Sequence, residues 1–166
     1  MPACRLQLPY TVFVAYKGNN RGPNVACAVS RCINGTRDMR PQIALPSAPG
    51  QIQVEYGDEP RIFDAIARCD AFVVVNTKGA SSTKFLDECS HARWTLNLPF
   101  VAVVEKGSRP RPPMNIKSRI CQVRFNRWSS VNCRELRRVI RSVIDTRHGL
   151  ALRSETASLP RRVLRA

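Results

Sequence analysis

An α/β domain, with a mostly parallel sheet of four or five strands and helices on both faces, is what this sequence predicts. Two observations carry that expectation. The runs YTVFVAY (residues 10–16), AFVVVN (71–76) and PFVAVVE (99–105) are apolar, rich in Val and Phe, and lack polar alternation. Parallel strands covered on both faces have that pattern. Helical spacing appears between the runs with short connections, as in strand–helix–strand units wound on both sides of a sheet.

Taken in order, the first strand ends in a polar loop of Lys17, Gly18, Asn19, Asn20, Arg21 and Gly22. The loop lacks the G-x-x-x-x-G-K-[ST] phosphate-binding pattern. It offers either cations and flexible amides to a phosphate or an ordinary glycine-rich turn. A helix follows over 24–34, where Val25, Ala28, Val29 and Cys32 keep helical spacing. QIALP (42–46) or QIQVEY (51–56) supplies a further strand, in a region blurred by Pro46, Pro49 and Gly50. Residues 61–69 set Ile62, Ile66 and Cys69 on one helical face, with Asp58, Glu59 and Pro60 as the start. The strand 71–76 leads through NTKGASS into a helix over 83–97. ICQVRF (120–125) alternates, as an edge strand does. Residues 132–147 place Leu136, Val139, Ile140 and Val143 on one side and arginines on the other. The domain thus spans 10–147, between a lead-in (1–9) and a basic, disordered or linker-like tail (148–166).

Length and composition bound the function. The chain has 166 residues, 43% of them hydrophobic, which suits one globular domain. No run approaches the roughly 18–20 apolar residues of a membrane span, and MPACRLQLPY has no signal-peptide pattern. A soluble, cytoplasmic protein with no membrane partner is expected. The net charge is +15, from 27 Lys and Arg against 12 Asp and Glu. Basic residues crowd the C-terminal half, whereas acids gather at 55–64 and at Asp87 and Glu88. A nucleic-acid footprint on the basic C-terminal tail is one reading of that excess, and an Arg-rich solvated face is the other. Of the seven cysteines none forms a C-x-x-C pair, and His91 and His148 stand apart, so no metal site is expected. Several cysteines occupy apolar helix positions as small buried hydrophobes, which suits a reduced compartment.

The residue with most chemical promise is Glu88. With Ser82 as the N-cap, Phe85, Cys89, Ala92 and Leu96 form one apolar stripe. At about 100° per residue Glu88 lies about 60° off that stripe, while Asp87 points nearly the opposite way. Glu88 is too deep in the helix to complete a capping box. It is one turn from the carboxyl end of a parallel strand, where such domains bind ligands.

Several motifs, in order, resemble the TIR (Toll/interleukin-1 receptor) domain family. VFVAYK (12–17) is similar to its first strand, V-F-I-S-Y followed by a basic or polar residue. RIFDAIARCDAFVVV (61–75) matches I-x-x-A-I-x-x-[SC]-D feeding an apolar strand, and STKFLDE (82–88) stands where the family reads S-x-W-C-x-x-E. RFNRWSSVNCRELRRVI (124–140) looks like the family's last strand and helix, so the likeness runs over residues 10–146. The resemblance implies a flavodoxin-like fold and either of two functions, NAD cleavage or adaptor binding between TIR domains. In the enzymes the helix glutamate, here Glu88, is catalytic, and NAD is a substrate and not a resident cofactor. The resemblance further implies substrate contacts at Tyr16, Lys17, Asn19 and Ser82; Lys84, a departure from the family's pattern, is a candidate to contact phosphate, to pair with a nearby acid or to lie exposed. It also implies a gating loop of Gly57, Asp58, Glu59 and Pro60, and self-association that completes the site. The chain departs from the pattern at Lys84 and Phe85, where the family has Trp and Cys, and at Thr11, where it has an acid. A nucleoside deoxyribosyltransferase would also turn a glutamate on an N-glycosidic bond, but its Asp- and Gly-rich signatures are not evident.

Overall fold

The structure, a computed structural model, describes residues 8–19, 21–54, 59–115, 121–126 and 130–157, with side chains as far as Arg147. Five strands form one parallel sheet in the order β2-β1-β3-β4-β5: β1 Tyr10–Tyr16, β2 Met39–Ile43, β3 Ala71–Asn76, β4 Phe100–Glu105 and β5 Gln122–Phe125. Helices α1 (Gly22–Asn34), α2 (Glu59–Ala67), α3 (Thr83–Ser90) and α4 (Cys133–Ala157) complete a flavodoxin-like α/β arrangement. No described helix is long and apolar enough to cross a membrane.

The uninterrupted apolar runs follow from this architecture. β3 and β4 are buried at every position, and alternate side chains serve the two faces. Val12, Val14, Val73, Val75, Val101 and Val103 pack with α1 and α4. Phe13, Phe72, Val74, Phe100 and Ala102 pack with α2 and α3. Register aligns Phe13, Phe72 and Phe100 across three strands, and their rings stack with centroids 5.7 and 5.3 Å apart. Truncating a phenylalanine in such a row to Ala costs about 3–5 kcal/mol, so this layer is a rigid floor beneath α3. The chain leaves β1 for β2 on one side and reaches β3 on the other. That reversal opens a crevice at the carboxyl ends of β1 and β3.

Several elements differ from expectation. β2 begins at Met39, ahead of both candidate segments, and shares only 42–43 with QIALP. Pro41 lies inside it and disguises it as a loop. An edge strand tolerates that proline because one side of its backbone needs no partner. QIQVEY contributes only the bridge from Gln51 to Ile43, and its residues 55 and 56 lie outside the described residues. Helix 83–97 divides: α3 ends at Ser90 and passes into a π-helical turn, His91–Thr95. α4 runs on to Ala157, past the expected end at Arg147, and Ile144 is more deeply buried than Val143. On α1, Ala26 and Ile33 join the core in place of Ala28.

Cys69 and Cys89 are buried free thiols, but Cys32 and Cys133 form a disulfide joining α1 to the start of α4. That bond departs from the expectation of reduced cysteines acting only as hydrophobes. Partners separated by 101 residues meet only once the two helices pack side by side. The arginine face of α4 is likewise not simply solvated. Arg141 donates to both carboxylate oxygens of Asp38 at 2.6 and 2.8 Å, and Arg137 Nε donates to the Cys32 carbonyl at 2.7 Å.

Candidate active site

α3 presents Glu88 through a plain division of labour. Ser82 caps the helix, its Oγ accepting from the Phe85 N–H at 3.2 Å. Phe85, Cys89 and Ala92 are buried on the sheet, and the border position leaves Glu88 half-buried. Its carboxyl faces a cleft of about 350 Å³ at the carboxyl end of β1, lined also by Tyr16, Gly18, Ala44, Ser82 and Lys84. Ile62 of α2 and Phe85 give the cleft apolar walls. Tyr16 is fixed there, its hydroxyl donating to the Ala44 carbonyl at 2.6 Å.

Burial pushes the Glu88 carboxyl up to about 7. Lys84, one helical turn earlier, opposes that rise, whereas Glu59 and Asp87 add to it. No described group donates a hydrogen bond to the carboxylate. Unsolvated and unpaired charge is costly, which is why the proton is retained. Burial, and then the charge of Glu88, also raise the Tyr16 phenol above its ordinary value. A half-buried carboxyl near neutrality beside an apolar wall and an open cleft suits a group that stabilises positive charge or exchanges a proton.

The cleft therefore brings together Tyr16, Ser82, Lys84 and Glu88. It does not include Lys17 or Asn19. Lys17 turns to the other side of its loop and is only 6% exposed, with Nζ donating to the carbonyls of Thr77 (3.0 Å) and Gly79 (3.1 Å). Asn19 braces the same two loops, donating to the Lys78 carbonyl and accepting from Thr77 Oγ1, each at 3.0 Å. Close approach demands Gly22 beneath them, since a Cβ there would meet the Lys17 carbonyl oxygen at 1.7 Å. Of the expected gating segment, Gly57 and Asp58 lie outside the described residues. Glu59 and Pro60 open α2, and Glu59 lines a small depression with Lys84 and Glu88.

Sequence reasoning missed Glu105. At the carboxyl end of β4 it is 2% exposed, accepts from Arg21 at 2.8 Å and from the Lys78 N–H at 2.8 Å, and so ties three loops together. An acid closing the apolar run PFVAVVE was the available signal, because an ionisable group at a strand's buried end needs partners. Trp94, on the π-helical turn, is 62% exposed.

Fold and site together define a flavodoxin-like α/β domain with a proton-retaining carboxyl at the ligand-binding edge of its sheet. Comparison with protein-family profiles and with curated proteins finds no match for this chain.

Proposed function

We propose that the chain is a TIR-like NAD glycohydrolase or cyclase in which Glu88 is the catalytic residue. The observation that carries this reading is the position of Glu88, half-buried in a cleft at the carboxyl end of β1 and raised to about 7. The motif likeness over residues 82–88 supplies the substrate class.

The chemistry asks little of the protein. Nicotinamide is attached to ribose as a cationic pyridinium, so breaking the bond sends its electron pair to the ring nitrogen and releases neutral nicotinamide. No general acid is needed, and the paired carboxylates of ordinary glycosidases reduce to one. Ionised Glu88 stabilises the oxocarbenium-like ribose cation in surroundings of low dielectric. It then accepts the proton of the attacking water, for which a carboxyl near neutrality is well matched. The products are ADP-ribose, nicotinamide and a proton; attack by the adenine in place of water gives a cyclic product. Tyr16, pinned to Ala44, forms one wall, and Ser82 and Lys84 form the rim. Self-association between copies completes the site in this reading, and bacterial defence signalling is its setting.

The second reading, a TIR-like interaction module without catalysis, is favoured by exposed Trp94 and by the lack, among the described residues, of a hydrogen-bond donor to Glu88. Incubating concentrated protein with NAD and following free nicotinamide by chromatography separates the two. Release that vanishes in Glu88→Ala supports the glycohydrolase. No release at any concentration supports the module. Release that persists in Glu88→Ala removes Glu88 from the chemistry and favours a deoxyribosyltransferase-like enzyme.

A further inference from the structure

The largest cavity described lies on the opposite side of the β1–α1 loop from the Glu88 cleft, about 540 Å³ in volume. Lys17, Gly79, Ser81, Arg109, Arg111 and Met114 line it, and among the described residues no carboxylate does. The contrast with the Glu88 side, where Glu59, Asp87 and Glu88 gather around one lysine, is complete. The nearby acid, Glu105, is already occupied by Arg21 and the Lys78 amide.

Lys17 is the unusual member. A cation as buried as this one is normally paired with a carboxylate, yet among the described residues its ammonium has only the carbonyls of Thr77 and Gly79, which leaves a third N–H to a ligand. Burial lowers its proton affinity, a cost that an anion in the cavity would relieve. Arg109 and Arg111 face the same space, and neither guanidinium makes a hydrogen bond or ion pair among the described residues.

Their segment is held in place. At one end Ser108 donates to the Glu105 carbonyl through its N–H (3.0 Å) and its Oγ (2.7 Å). At the other, Met114 is buried and donates to the Arg111 carbonyl at 2.8 Å. Arg93 holds the Pro113 carbonyl while lying 5.8 Å from the centre of the Phe100 ring. The arginines thus project from a braced loop, and less ordering is required when a ligand arrives.

We infer that this cavity is a phosphoanion site, in which Lys17, Arg109 and Arg111 hold a pyrophosphate-like group. Guanidinium forks match phosphate oxygens bidentately, and a buried ammonium adds a point charge. The site stands on its own geometry and does not depend on cleavage at Glu88.

Calorimetric titration with inorganic pyrophosphate tests it, with ADP-ribose as a second probe. Wild-type protein should bind pyrophosphate, and R109A/R111A should weaken binding about tenfold or more. R134A/R138A, which removes two exposed charges from α4, should leave affinity within about twofold, as should Glu88→Ala. ADP-ribose binding more tightly than pyrophosphate, with the same arginine dependence, identifies the phosphate as part of a nucleotide. Equal affinities identify the free anion. No pyrophosphate binding by wild type overturns the site, as does equal weakening by the two double variants, which would mark a diffuse attraction to the +15 chain. A large change in Glu88→Ala would place the ligand in the other cleft and also overturn it.

Discussion

Glu88 keeps its proton to about pH 7 because burial removes solvent, and Lys84, whose charge opposes the rise, forms no ion pair with it among the described residues. If the ionised form is the catalyst, turnover rises with pH through about 7 and levels above it. Glu59→Gln, by removing one of the charges that raise the group, moves that rise toward acid; a pH–rate profile of both proteins reads the difference. The same group affects stability. Its folded value lies above the unfolded 4.5, so its contribution is fully present below pH 4.5 and lost as pH rises through about 7. Glu88→Gln should therefore stabilise the protein at pH 8 by about 1–3 kcal/mol, visible as a higher Tm, and should match wild type at pH 4. The border position of Glu88 was legible from helical spacing alone. Its proton affinity was not, because Tyr16, Ile62 and Glu59 approach it from β1 and α2. The resemblance puts Lys17 and Asn19 at one substrate with Tyr16, but neither lines the Glu88 cleft. Successive residues leaving a strand point opposite ways, and the 77–79 carbonyls capture both.

Among the elements, α1 and α4 are joined by the Cys32–Cys133 disulfide and the Arg137 bond, while the Arg141–Asp38 fork ties α4 to the segment just before β2. The fork holds the Asp38 carboxyl down to about 2, from an ordinary 3.8, chiefly through the Arg141 hydrogen bonds. A depressed carboxyl adds stability that is present above pH 3.8 and lost as pH falls through about 2. Both partners are partly solvated, so Asp38→Asn should cost only about 1 kcal/mol at pH 7 and clearly less near pH 2; urea unfolding at the two pH values measures it. The buried strands β1, β3 and β4 were readable as apolar runs, and helix faces as spacing. β2 was not, because Pro41 breaks its pattern and only its edge position excuses the proline. Neither was the disulfide, since helical spacing assigns Cys32 to a buried face without naming what lies opposite.

At the scale of the whole molecule, the charge of +15 divides by location more than by sequence. Arg21, Arg93, Arg137 and Arg141 are engaged in internal contacts, while Lys17, Arg109 and Arg111 gather at one cavity. Three acids, Glu59, Asp87 and Glu88, collect beside the Glu88 cleft. Both cavities open at the carboxyl edge of one parallel sheet, where the fold leaves room for ligands. That edge was predictable from strand order, whereas the two-sided charge was not, because it depends on which way each loop turns after its strand. The central claim is that Glu88 carries out glycosidic chemistry on NAD, and nicotinamide release by wild-type protein and Glu88→Ala side by side tests it most directly. Release by wild type, reduced at least about a hundredfold in the variant, is the predicted result. Equal release by both proteins, or none from concentrated wild type, would contradict it.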